Sequence, residues 1–156
     1  MNYFLNRKEW AFTLAELMIV VVIIGIIAAF GIPAYTTLVD RSHERTAVLS
    51  LKTIHAGQEL FKVRNGEYFP DPGGLGNQGI GVLNPALGLK IVEPDNLRYG
   101  CWRSAGAGTP YECYAQKLNP GVGVLWTLQI NPGGFDIGNP CCKYNTDCPT
   151  VKTQCS

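Results

Sequence analysis

The chain carries little charge, and the charge it has nearly cancels. Charged residues make up 16% of its 156 positions, and the formal net charge is +1. Without the first eleven residues, which hold Arg7, Lys8 and Glu9, eleven acids face eleven bases. A neutral chain has no field for grasping nucleic acid, and it suits subunits packed at high density. Histidine is scarce: His43 and His55 lie in one helical stretch, on opposite sides of its pattern, so no histidine–cysteine catalytic pair is expected. No Cys-x-x-Cys occurs, which removes a thioredoxin-type redox centre and the usual knuckles of a zinc site. The glycines at 73–76 lack a Lys-Ser/Thr ending and a strand-to-helix setting, so they form no phosphate loop. Asp136 and Asp147 are isolated acids and poor evidence for calcium. No cofactor, metal or catalytic site is expected.

One stretch lacks charge almost completely. Residues 12–35, FTLAELMIVVVIIGIIAAFGIPAY, hold a single charged side chain, Glu16, four positions after Phe12. A carboxylate in hydrocarbon costs about 2.5–3.5 kcal/mol or more, so an acid there is by default functional and partnered. Ahead of it stands a short leader, MNYFLNRKEWA, whose Arg7 and Lys8 hold it on the cytoplasmic side. Cleavage between Ala11 and Phe12 would create a new ammonium group one helical turn before Glu16. Two plainer readings compete. A secretory signal has an apolar core of about 7–15 residues followed by a small-residue cleavage site. Here the run is longer, and no clean small-x-small pattern follows. A simple anchor over residues 17–35 could span about 30 Å of hydrocarbon, but it leaves Glu16 unexplained.

The basic leader, Ala11 at the junction, Phe12, Thr13, Leu14, Glu16, Leu17, Gly25 and Pro33 together resemble the start of type IV pilins and pseudopilins. The resemblance covers about the first third of the chain. It departs at Ala11, where most members have glycine, and at Ala15, where a larger aliphatic is usual. It implies removal of residues 1–11 by a prepilin peptidase, methylation of the Phe12 amine, and no enzymatic activity. It also implies a structural subunit, single-pass in the inner membrane before assembly, that enters a cell-surface pilus of its own copies through a membrane platform. The alternative is the major pseudopilin of a type II secretion system, in a periplasmic pseudopilus. Many such chains carry a late Asp-Pro-Trp-Gly-like stretch, which is missing here. A membrane-anchored extracytoplasmic enzyme or binding module ranks lower, because neither a flexible linker nor a distal His, Asp or Ser constellation appears. In a fibre, Glu16 would be neutralised by the Phe12 ammonium of a neighbouring subunit, which sets the axial register. Pairing with its own N-terminus, helped by the positive end of the helix, is the rival.

Beyond the membrane the pattern stays helical. Residues 36–64 contain no proline, and Ala47, Val48, Leu51, Ile54, Gln58 and Phe61 recur at spacings of three and four. The other face offers Asp40, Arg41, Glu44, Arg45, Lys52, Glu59 and Lys62. That predicts an amphipathic helix lying on a globular domain. Residues 12–35 and 36–64 become the hydrophobic and amphipathic halves of one helix, about 80 Å long at 1.5 Å per residue. Gly25, Gly31 and Pro33 are its weak points, where a bend or break is expected. The glycines also let helices approach closely.

At Asn65 the texture changes. Residues 65–156 hold fifteen of the eighteen glycines and nine of the ten prolines. Asn65-Gly66 ends the helix with a left-handed cap. The next stretch, NGEYFPDPGGLGNQGIGVLNPALG, reads as a long loop, pinned by Tyr68 and Phe69 as a similar stretch is in many pilins. Residues 97–103, 111–117 and 123–130 alternate with period two between Gly, Pro and Asn clusters, which predicts strands. Short connections favour an antiparallel meander on the helix, an α+β domain with a disulfide-tied C-terminal region. All six cysteines lie from Cys101 to Cys155, as in an oxidising compartment. A hairpin centred on Ala107 puts Cys101 opposite Cys113, within bonding reach. Cys141 and Cys142 seldom bond each other, so each reaches Cys148 or Cys155, in either arrangement. Many pilins likewise tie down a C-terminal loop by disulfide.

Overall fold

The computed structural model describes residues 12–70, 77–103, 111–130, 138–143, 148–151 and 153–155. Its elements run α1 (Leu14–Asn65), β1 (Gln78–Gly79), α2 (Ile80–Leu87), β2 (Leu97–Arg103), β3 (Tyr111–Asn119), β4 (Gly123–Ile130) and β5 (Cys141–Cys142). The chain divides into two compact units, Met1–Val39 and Asp40–Ser156, and α1 contributes to both.

α1 is one helix of 52 residues. It continues through Gly25, Gly31 and Pro33, so the break expected there is absent. Proline's fixed φ near −65° is itself helical, and its cost inside a helix is a missing hydrogen bond. The C-terminus lies where expected. Gly66 adopts φ +84° and donates its N–H to the Lys62 carbonyl at 2.7 Å, the left-handed cap that glycine adopts without strain.

In the second unit one stripe of α1 is buried: Ala47, Leu51, Ile54 and Gln58. Glu44 is buried with them, a correction to its assignment to the charged face. Its place three residues before Ala47 and seven before Leu51 puts it on the stripe, against the preference of its charge. The C-terminal tail supplies the compensation. Glu44 Oε2 accepts from the Thr150 N–H at 2.5 Å and hydroxyl at 2.6 Å, and Oε1 from the Val151 N–H at 2.9 Å. Asp40, also expected on the outer face, pairs with the buried Lys117 of β3. Arg41, Arg45 and Lys52 stay exposed.

The strands form one antiparallel meander in the order β1-β2-β3-β4-β5. Alternation sends Tyr99 and Cys101 of β2, Tyr111 and Ala115 of β3, and Leu128 and Ile130 of β4 into a core shared with α1. The β3–β4 connection has type II chemistry: Val122 N–H donates to the Asn119 carbonyl at 3.1 Å, with Pro120 second and Gly121 third at φ +82°. Between Lys117 and Leu118 the register shifts, leaving Leu125 as an extra residue on β4.

The stretch after Asn65 corrects the loop assignment, because it contains β1 and α2. Ile80, Leu83 and Leu87 follow helical spacing and meet the core, and Gly88 at φ +68° closes the helix. Pro85 and the flanking glycines concealed that periodicity. Tyr68 and Phe69 do hold the segment down. The Gln58 amide grips Phe69, donating to its carbonyl at 2.8 Å and accepting its N–H at 2.9 Å. The Tyr68 ring meets Tyr111 edge-on at 4.8 Å, and its hydroxyl donates to Glu59 at 2.9 Å. Arg103 donates to the Tyr68 carbonyl at 2.8 Å and pairs with Glu67 at 3.1 Å. Tyr111 bonds His55, and burial, with the charge of Glu59, pushes its hydroxyl pKa above the ordinary phenol range.

Cys101 and Cys113 face each other across β2 and β3 and are bonded. Cys141 bonds Cys155 and Cys142 bonds Cys148. Neighbours on a strand point to opposite faces, so adjacent cysteines reach different partners. The returning tail is also stitched to β5, with the Cys142 N–H donating to the Thr153 carbonyl at 2.7 Å. Asp136, Asp147, the turn centred on Ala107 and the glycines at 73–76 lie outside the described residues.

Glu44 yields a test of how the tail is held. Glu44→Ala strands two tail N–H groups and should cost about 2–4 kcal/mol, because bonds to a charged group are each worth about 1.5–3 kcal/mol. Denaturant unfolding of the disulfide-intact protein measures it, and an unchanged midpoint would show that the disulfides alone hold the tail.

Candidate assembly segment

α1 begins with a reciprocal pair of side-chain bonds. The Glu16 N–H donates to Thr13 Oγ1 at 3.3 Å, while Glu16 Oε2 accepts from the Thr13 N–H and hydroxyl, each at 2.8 Å. This is a capping box, in which the N-cap hydroxyl and the third helical residue satisfy each other's backbone N–H. The first four N–H groups of a helix have no partner within it. In hydrocarbon each such group costs several kcal/mol, so the cap matters more there than in water. The positive end of the helix dipole favours the carboxylate as well. The sequence carries this signal, Thr-x-x-Glu ahead of an apolar run, which treating Glu16 as an isolated charge does not use.

Both capping bonds end on Oε2. A carboxylate offers about four acceptor sites, so the cap uses only part of its capacity. Phe12, the proposed new N-terminus, immediately precedes the cap and is 78% exposed. Ala11 lies outside the described residues.

The rest of the segment is apolar and uncovered. Side chains at 12–32 and 34–38 are exposed, among them Ile19, Ile23, Ile27 and Phe30. α1 is long and apolar enough to cross a membrane. Removing one large aliphatic side chain from water is worth about 1.5–3 kcal/mol, so this surface requires lipid or other helices around it. For those side chains lipid and a helix bundle are nearly equivalent solvents. Glu16 is the exception, because its energy depends sharply on whether a cation is near. At Gly25 and Gly31 an added Cβ would meet no atom within 4 Å, so both lie open to an approaching helix. The six cysteines belong to the other unit and take no part here. Among the described residues no group of three or more His, Cys, Asp or Glu side chains is placed to hold a metal.

Residues 7–32 match the family model described as the prokaryotic N-terminal methylation motif. The chain is 41% identical to the type IV major pilin protein PilA of Myxococcus xanthus, over 86% of this chain and 70% of that protein. It is 31% identical to the type IV major pilin protein PilE1 of Neisseria gonorrhoeae, over 92% and 84% of the two chains. It is 30% identical to the type II secretion system core protein G of Vibrio cholerae, over 85% and 86%. No solved structure gives a significant match.

The cap is testable without assembly. Thr13→Val keeps the shape but removes the hydroxyl, at a cost of about 0.5–2 kcal/mol to the helix start. Hydrogen exchange in zwitterionic micelles should show the Glu16 amide exchanging several-fold faster. An unchanged rate would mean that the box does not hold the helix end.

Proposed function

The chain belongs to the type IV pilin and pseudopilin family, and from that premise we propose that it is the structural subunit of an extracellular pilus filament. One observation carries the mechanism: Glu16 stands in the exposed apolar segment of α1, held by capping bonds that occupy only one of its oxygens. Residues 1–11 are a leader removed by a prepilin peptidase between Ala11 and Phe12, and the Phe12 amine is methylated. Residues 12–35 lie in the inner membrane before assembly and in the filament core afterwards. Residues 36–64 form the amphipathic half of the helix, and residues 65–156 carry α2, the sheet and the cysteine-rich end.

Moving from lipid into the fibre brings the apolar side chains little. It brings Glu16 a cation, the Phe12 ammonium of a subunit already assembled. That gain is largest at one axial offset, so the charge pair selects the register while helix bundling supplies the contact area. The membrane platform of an assembly machine lifts the subunit, and its other partners are copies of itself. A second reading has a specific support. The similarity to the type II secretion system core protein G spans 86% of that protein, which suits a periplasmic pseudopilus. Deleting the gene separates them: loss of surface fibres favours the pilus, and loss of exoprotein secretion with fibres intact favours the pseudopilus.

Processing is checked by intact mass of the membrane or fibre protein, which should start at a methylated Phe12. Assembled subunits that retain residues 1–11 would contradict the proposed leader. The role of Glu16 is checked by two substitutions. Glu16→Gln preserves the acceptor for Thr13, since a capping box accepts glutamine, but removes the charge; Glu16→Leu removes both. Each should insert, be cleaved and form its disulfides, yet give fibre yields lower by about tenfold or more as the sole copy. Normal fibres from Glu16→Gln would reduce Glu16 to a helix cap.

A further inference from the structure

The sheet face turned away from the core carries a pocket of about 440 Å3. That lies within the range of about 300–1,000 Å3 typical of ligand clefts. Apart from Trp102, the residues that line it all carry polar side-chain groups. Strand alternation puts Trp102, Glu112, Tyr114, Gln116 and Gln129 there, opposite the residues that enter the core.

Trp102 is 42% exposed, a flat apolar surface in a polar surround. The groups beside it are held in place. Asn77 donates its amide to the Tyr114 hydroxyl, Gln129 donates its amide to Glu112, and the Trp102 side chain bonds Glu112 as well. Gly100 makes the arrangement possible. A Cβ there would stand 2.4 Å from Asn77 Oδ1 and 2.6 Å from the Tyr114 hydroxyl oxygen. One acid, Glu112, and one base, Lys143, leave the lining without net charge.

These features discriminate between ligands. Nucleic acid needs several cations along its backbone, and Lys143 alone does not supply them. A protein partner needs a desolvated apolar centre, and Trp102 alone does not provide one. A sugar ring fits both features: its C–H face packs on an indole, and its paired hydroxyls match fixed amides that donate and accept together. We propose that this sheet face binds a free, neutral polysaccharide, with Trp102 as the platform and Asn77, Gln116, Gln129 and Glu112 engaging its hydroxyls. The site lies in the second unit and does not depend on the filament role of the chain.

The test uses the full chain in lauryldimethylamine oxide, a detergent without a sugar head group. Maltohexaose, cellohexaose and chitohexaose are titrated separately, with calorimetry and tryptophan fluorescence as readouts. At least one should bind saturably, and Trp102→Ala should weaken it by about tenfold or more. Should Trp102→Ala lose its unfolding transition, Gln116→Ala answers the question, with binding expected to fall about three-fold or more. Absence of binding by all three sugars up to about 10 mM, or binding untouched by either substitution, would overturn the proposal.

Discussion

A single carboxylate in the otherwise uncharged segment 12–35 is, in our proposal, the constraint on which this protein depends. Were residues 12–35 apolar throughout, the segment would rest in lipid with no reason to leave, because hydrocarbon and neighbouring helices solvate leucine and isoleucine about equally. Glu16 removes that indifference. Its bonds to Thr13 satisfy the helix end and occupy one carboxylate oxygen. They do not neutralise it. The same residue therefore serves folding through Oε2 and, in our proposal, assembly through its charge.

The second unit meets a different demand. A small sheet cannot bury enough surface alone, and it gains a partner from the stripe at Ala47, Leu51 and Ile54 of α1. Its irregular parts are secured by polar locks rather than by further apolar area. Glu44 grips the tail, Gln58 grips Phe69, and Arg103 grips the segment after the helix. Each lock satisfies backbone groups that a loop leaves unpaired on a buried surface. Two disulfides then close the tail on itself, and the third joins β2 to β3. The opposite face of the sheet is free of that duty and carries the polar pocket around Trp102.

Much of this was legible in the sequence because it follows from periodicity. The strands at 97–103 and 123–130 match their period-two runs, and the third continues to Asn119, two residues past the expected end. The end of α1 followed from Asn65-Gly66. The rest was hidden where a louder signal outweighed a local rule. Charge placed Asp40 and Glu44 on the solvent face, although their spacing continues the buried stripe. Pro85 and a crowd of glycines masked the helical spacing of Ile80, Leu83 and Leu87. As an isolated charge, Glu16 gives no sign of its pairing with Thr13, which only the Thr-x-x-Glu spacing carries. Spacing left the two arrangements of Cys141 and Cys142 open, since the choice depends on how the tail folds back along β5.

In the proposed fibre, the amine that faces Glu16 belongs to a neighbouring subunit and not to its own chain. Solid-state NMR on filaments grown from two separately labelled pools tests this directly, one pool with 13C at the glutamate carboxyl and the other with 15N at phenylalanine. Dephasing between the pools should place the Glu16 carboxyl and a neighbour's Phe12 nitrogen within about 4 Å, the range of an ion pair. A contact confined to filaments in which one subunit carries both labels would show that Glu16 serves only its own helix, and would contradict the account.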